Sequence, residues 1–241
     1  MSGHSKWNNI KHKKEKSDAA KAKIFTKIGK EMAVAIKAGG PDPNNNSRLR
    51  DLIAKAKANN VPNENIQRTI KKFTDSSNID FEEITYEGYG PSGVAIIVET
   101  STDNRNRTAG NVRAWFSKYG GNLGQNGCVS YLFEEKGVIT IIDEDEKIDE
   151  DKIMEDALEC GAEDIKCDEG EYTIYTSTED FSAVRDAIVA MGYTLDTADI
   201  AKVPSTYVEL TSEEDIENME KMLDKFNEDD DVNAVYHNWD A

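Results

Sequence analysis

The spacing of apolar residues changes near residue 80, and this limits the chain to a helical segment followed by mixed α/β ones. Phe25, Ile28, Met32 and Ile36 recur at roughly 100° per residue, the period of one helix face. Lys23, Lys27, Lys30 and Lys37 fall opposite them, and Gly39-Gly40-Pro41 stops the pattern. A second stripe, Leu49, Leu52, Ile53 and Ala56, follows a potential cap at Ser47 and is broken by Asn59-Asn60-Val61-Pro62. A third stripe, Ile66, Ile70 and Phe73, follows Asn63, with Arg68, Lys71 and Lys72 outward or near the C-terminal end. Three short amphipathic stripes predict a small helical domain with a basic arm ahead of it, the two together spanning residues 1–79.

Beyond residue 80 strand and helix patterns alternate. Val94 to Val98 is an uninterrupted apolar run, which predicts a central strand. Thr100 to Thr108 leads into a helix with Ala109, Val112, Phe116 and Tyr119 inward, and Val129 to Phe133 reads as the next strand. Residues 137–203 then give strand, helix, two strands around Asp168-Glu-Gly170, helix and strand, the βαββαβ order of a split βαβ sandwich. Residues 206–210, a helix through Phe226 and residues 232–236 supply another strand, helix and strand. The predicted fold is therefore α+β: a three-helix basic domain (1–79), then two ferredoxin-like α/β domains. One is discontinuous (80–134 plus 205–241), with the other (135–204) inserted in it.

Net charge follows the same boundary. The whole chain carries −18, yet residues 1–79 hold 17 Lys+Arg against 7 Asp+Glu, or +10, and the remainder holds 12 against 40, or −28. A basic first third suits a phosphate-bearing partner, while the acidic remainder limits indiscriminate adhesion. A mean hydropathy of −0.66 and 32% charged residues describe a soluble chain. No apolar run approaches the ~18 residues of a membrane span, and no apolar core of a secretory signal follows the first residues, so the expected location is the cytoplasm.

Catalytic and metal constellations are absent from the pattern. Cys128, Cys160 and Cys167 lack zinc-knuckle spacing and read as small packing residues. The acidic runs 143–146, 149–151, 213–215 and 228–231 follow no calcium-loop spacing and fall at turns and helix starts, where carboxylates suit the dipole. There is no phosphate-binding Walker loop, GxSxG or HExxH. The sequence predicts a non-enzyme with no metal and no cofactor.

The candidate binding residues lie in the basic third and in one later loop. The arm carries His4, Lys6, Trp7, Lys11, His12, Lys13, Lys14 and Lys16, cations to neutralise phosphates and rings to stack on bases. An ordinary solvated tail would have a similar composition. Lys23, Lys27 and Lys30 extend the positive face along the first helix. Arg105 and Arg107 beside a helix N-terminus form either a phosphate seat or a cap whose arginines pair with nearby acids.

Several blocks resemble the YebC/PmpR family. They are Gly3-His-Ser-Lys-Trp-Asn-Asn-Ile-Lys-His-Lys-Lys14, Lys37-Ala-Gly-Gly-Pro-Asp-Pro43, Ala54-Lys-Ala-Lys-Ala-Asn-Asn-Val-Pro62, Glu87-Gly-Tyr-Gly-Pro91, Thr102-Asp-Asn-Arg-Asn-Arg-Thr108 and residues 116–129. The chain departs from that pattern at Phe73 and Cys128, where smaller residues are expected. The resemblance implies three domains, one α/β domain nested in another, and a non-enzymatic regulator of gene expression. Members are described either as DNA-binding transcriptional regulators or as translation factors working with the ribosome. The implied partner is thus duplex DNA or ribosomal RNA, and the arm, the Lys23/Lys27/Lys30 face and the Arg105/Arg107 loop are the positions carried over as contacts.

Overall fold

A computed structural model describes residues 18–75, 80–143, 147–168 and 170–240. The chain divides into two compact units, one made of Phe133–Val203 and the other of the segments on either side. The inserted segment leaves and returns at one place: the Ser205 N–H and hydroxyl both donate to the Leu132 carbonyl, at 2.8 and 3.0 Å.

The flanking unit begins with three helices, α1 (Asp18–Gly39), α2 (Ser47–Ala58) and α3 (Asn63–Asp75). Their common core is Ile28, Met32, Ala35, Ile36, Leu49, Leu52, Ala56, Ile66 and Ile70, with Ile24, Ile53, Val61 and Phe73 packed against it. Phe25, predicted to face inward, is only half-buried and lies outside that cluster, because Ile24 takes its place on the stripe. Asn46, rather than Ser47, caps α2: its side chain accepts from the Leu49 N–H at 3.0 Å. Asn63 is the first residue of α3, whose opening turn bonds to the Pro62 carbonyl.

Next come β1 (Glu82–Tyr89), β2 (Ala95–Thr102), α4 (Arg105–Lys118) and β3 (Asn122–Leu123), and, after the insertion, β8 (Val208–Glu209), α7 (Glu213–Glu228), β9 (Val232–His237) and β10 (Trp239–Asp240). The four-stranded sheet has the order β3-β1-β2-β9. Val94, Ile96, Val98, Val112, Phe116, Met222, Leu223 and Phe226 form its core. The β2-α4-β3 crossover spans one strand position, and β1 fills it. Residues 206–210, expected to supply a strand of this domain's βαββαβ set, are not in the sheet, and β1 pairs with its chain neighbour β2 over eight antiparallel positions, from Glu82↔Thr102 to Tyr89↔Ala95. Val208–Glu209 pairs instead with Trp239–Asp240 in a separate two-stranded parallel sheet. The predicted strand 129–133 is also replaced. Ser130–Leu132 is a 3-10 turn, and the N–H groups of Val129 and Ser130 bind the Glu87 carboxylate, which removes them from any ladder.

The inserted unit holds β4 (Phe133–Ile142), α5 (Glu150–Glu159), β5 (Asp164–Asp168), β6 (Glu171–Thr176), α6 (Phe181–Ala190) and β7 (Thr197–Pro204). Its sheet order, β5-β6-β4-β7, is that of the expected split βαβ sandwich. The core is Ile139, Ile141, Ile153, Ala157, Ile174, Phe181, Val184 and Ile188. Asp149 caps α5 by accepting from the Lys152 N–H at 3.1 Å, so one acidic run serves a helix start. Among the described residues no helix is long and apolar enough to cross a membrane.

Candidate nucleic-acid interface

Seven of the predicted contacts, His4, Lys6, Trp7, Lys11, Lys13, Lys14 and Lys16, lie outside the described residues. The other five converge on one region of the flanking unit, where α1, the start of α4 and the turn between α7 and β9 meet. The lysines of α1 project from the side opposite Ile28 and Met32, as the stripe requires. Lys27 Nζ donates to the Asn227 carbonyl at 2.9 Å. Lys30 Nζ donates to the Asp230 carbonyl at 2.9 Å and to Asp231 Oδ1 at 2.7 Å. Lys23 lies 4.0 Å from Asp230 and keeps a third of its side chain exposed.

Asp231 is the centre of this cluster and is 3% exposed. Arg107 reaches its Oδ2 through Nη2 at 2.6 Å and Nε at 3.1 Å, and the Thr108 and Thr102 hydroxyls lie 2.9 and 3.1 Å from the same oxygen. Arg107 also donates to Asp103 at 2.8 Å. Burial pushes the Asp231 carboxyl up, but bonds from Lys30, Arg107 and Thr108 outweigh that and hold it down at about 2. The same bonds, to Asp231 first and then Asp103, push the Arg107 guanidinium above its ordinary value. Asn104 supplies the helix cap, accepting from the Arg107 N–H at 3.1 Å. Of the two readings of this loop, capping and internal pairing describe Arg107. Arg105 is exposed and forms no ion pair among the described residues.

Lys27, Lys30 and Arg107 thus engage the protein's own carbonyls and carboxylates. Arg48 is also engaged, by a two-pronged pair with Glu83 that includes a 3.0 Å contact, and Lys37 pairs with Asp80. Further cations whose charge is left to solvent lie on α2 and α3. Arg50 and Lys57, two turns apart on α2, are exposed, as are Gln67, Arg68, Lys71 and Lys72 on α3. Arg50, Lys57, Arg68 and Lys71 form no ion pair among the described residues, and Lys72 rests over the Phe73 ring, 5.3 Å from its centroid. Sequence reasoning noted Arg68, Lys71 and Lys72 as outward and did not carry them forward as contacts. The helical period placing them opposite Ile66 and Ile70 was the available signal.

A second built feature is the loop after β3. Glu87, 6% exposed, accepts the N–H groups of Gly127, Val129 and Ser130 at 2.8, 2.9 and 2.9 Å. Burial opposes its ionisation, yet these bonds prevail and lower its pKa. They hold the segment against β1, and the Tyr89 hydroxyl donates to the Cys128 carbonyl at 3.0 Å.

Comparison with known proteins covers both parts of the chain. A family model described as the TACO1/YebC protein N-terminal domain matches residues 5–76, and one described as the TACO1/YebC second and third domain matches residues 81–239. Two relatives carry the name probable transcriptional regulatory protein. That of Agathobacter rectalis is 56% identical over 241 residues, covering 100% of both chains. That of Acetivibrio thermocellus is 55% identical over 242 residues, covering 99% of both. The crystal structure of a conserved hypothetical protein from Aquifex aeolicus superposes with a TM-score of 0.83 at 43% identity, covering 92% of this chain and 91% of that one.

Proposed function

Because the chain belongs to the TACO1/YebC family, we propose that it is a non-enzymatic, nucleic-acid-binding regulator of gene expression acting on duplex DNA through its basic first third. One observation carries the reading. Residues 1–79 hold a net charge of +10 in a chain of −18, and Arg50, Lys57, Arg68 and Lys71 on α2 and α3 form no ion pair among the described residues. Unneutralised lysine and arginine release counterions from a phosphate backbone on binding, a gain that internally paired cations cannot supply. The names of the relatives, probable transcriptional regulatory protein, support the same class of activity.

Within this reading the arm from His4 to Lys16, together with Lys23 and Arg105, adds phosphate contacts. Lys27 and Lys30 are assigned to holding α1, and Arg107 to holding the start of α4, against the 227–231 turn. The test is co-sedimentation with purified ribosomes against binding to mixed-sequence duplex DNA, both at near-physiological salt. DNA binding without ribosome association is expected. Stoichiometric ribosome binding with DNA binding lost would replace the duplex by ribosomal RNA and make the protein a translation factor. Replacing Lys13 and Lys14 by alanine is expected to lower the slope of log K against log salt by about one per lost phosphate contact. An unchanged slope removes both lysines from the interface.

A further inference from the structure

The segment α2–turn–α3 has a shape and a charge pattern that the family descriptions leave unassigned. Helix α2 ends by a C-terminal cap in which Asn60 takes the left-handed conformation, φ 57°, and the Val61 N–H bonds back to the Ala56 carbonyl at 3.0 Å. Val61 turns into the helical core, and Pro62 starts α3 at once, its carbonyl accepting from the Asn65 and Ile66 N–H groups at 2.9 and 3.2 Å. Two helices of 12 and 13 residues are therefore joined by a four-residue turn pinned by one apolar side chain, with α1 packed behind both. A turn of this length between two short helices is the connection that a helix–turn–helix uses.

The outer surface differs between the two helices in a way that suits one occupant. On α2 the exposed cations that form no ion pair among the described residues, Arg50 and Lys57, are two turns apart. On α3 the exposed face carries Gln67, Arg68 and Lys71 opposite the buried Ile66 and Ile70. Gln and Arg are side chains able to make paired hydrogen bonds to adenine and guanine edges. None of these five has a partner of its own among the described residues.

We propose that α2 and α3 form a helix–turn–helix module in which α3 enters the major groove of duplex DNA, with Gln67, Arg68 and Lys71 toward the base edges and Arg50 and Lys57 on the flanking phosphates. B-form duplex is the occupant because its major groove admits a helix, whereas that of A-form RNA is too deep and narrow for side-chain reading. This inference rests on the duplex-DNA reading above and adds a site and a source of sequence preference to it.

The test uses the full chain and selection of bound sequences from a randomised 20-base-pair duplex library, followed by fluorescence titration. The four substitutions are at exposed positions, and thermal melting confirms that each variant is folded. Arg68→Ala and Gln67→Ala are expected to lower affinity for the selected sequence by about ten-fold and to change which bases are enriched at particular positions. Arg50→Ala and Lys57→Ala are expected to weaken all duplexes equally and to reduce the salt slope by about one each. Wild-type binding to duplex DNA with affinity and enriched sequence unaltered by Arg68→Ala and Gln67→Ala overturns the groove-reading assignment while leaving the DNA reading intact. Absence of wild-type binding to any duplex overturns both.

Discussion

The carboxamide of Asn46, which is 7% exposed, works at both of its ends. Its oxygen caps α2 through the Leu49 N–H, and its nitrogen donates to the Ala35 and Gly40 carbonyls, each at 2.8 Å, closing the end of α1. Asn46→Ala removes the cap and strands two carbonyls, so a loss of about 2–3 kcal/mol is expected in urea denaturation of the full chain. A loss below about 0.5 kcal/mol would mean that water replaces the amide. Asp231 makes a pH-dependent case. Its pKa, about 2 when folded, lies below the ordinary carboxylate value of 3.8. Its contribution is therefore present above the ordinary value and is lost as pH falls from about 4 through about 2. Asp231→Asn removes the carboxylate that Lys30 pairs with and one of the two that Arg107 pairs with, at an expected cost of roughly 3 kcal/mol at neutral pH. The stability gap between variant and wild type should close by about 2 kcal/mol on descending through that window. A gap constant from pH 6 to pH 2 would show that the carboxylate's charge is not what stabilises the cluster.

At the scale of elements, β3 is only two residues long, and its place beside β1 depends on Gly88. A Cβ there would lie 2.5 Å from the Asn122 carbonyl and 2.9 Å from the Phe116 ring. Gly88→Ala must push β3 or the Phe116 ring away, and a destabilisation of about 1–3 kcal/mol is expected, with faster amide exchange at Leu123, which pairs with Gly88. Unchanged exchange at Leu123 would place the adjustment elsewhere. Such a contact explains why some elements were legible in the sequence and others were not. The helices α1 to α3 and the strand through Val94 to Val98 announce themselves by local apolar spacing. Strand β3, with a polar Asn122 and two residues of pairing, has no such signal. Residues 129–133 have the apolar content of a strand, but the Val129 and Ser130 amides are claimed by Glu87, about forty residues earlier in the chain. The candidate site divides in the same way. Outward cations on α3 follow from helical period, whereas the engagement of Lys30 by Asp231 joins residues 201 positions apart and leaves no local trace.

For the whole molecule, charge is segregated more sharply than the first-third boundary alone indicates. Residues 133–203 hold 6 Lys+Arg against 22 Asp+Glu, a net charge of −16, so the rest of the chain, with 23 against 25, carries only −2. A duplex approaching the proposed interface meets two fields of different range. The local cations attract at contact distance, and the summed negative charge repels from farther away. At about 10 mM salt the Debye length is roughly 30 Å and the repulsion is felt across a protein of this size, whereas at about 100 mM it is roughly 10 Å and only nearby charges act. The association rate constant with a 20-base-pair duplex is therefore expected to rise as NaCl increases from about 10 to 100 mM and to fall beyond that. A purely basic domain would show only the fall. Stopped-flow measurement across 10–500 mM NaCl decides the matter. A monotonic decline from the lowest salt would mean that the acidic insertion does not influence the encounter and that the basic third acts as though it stood alone.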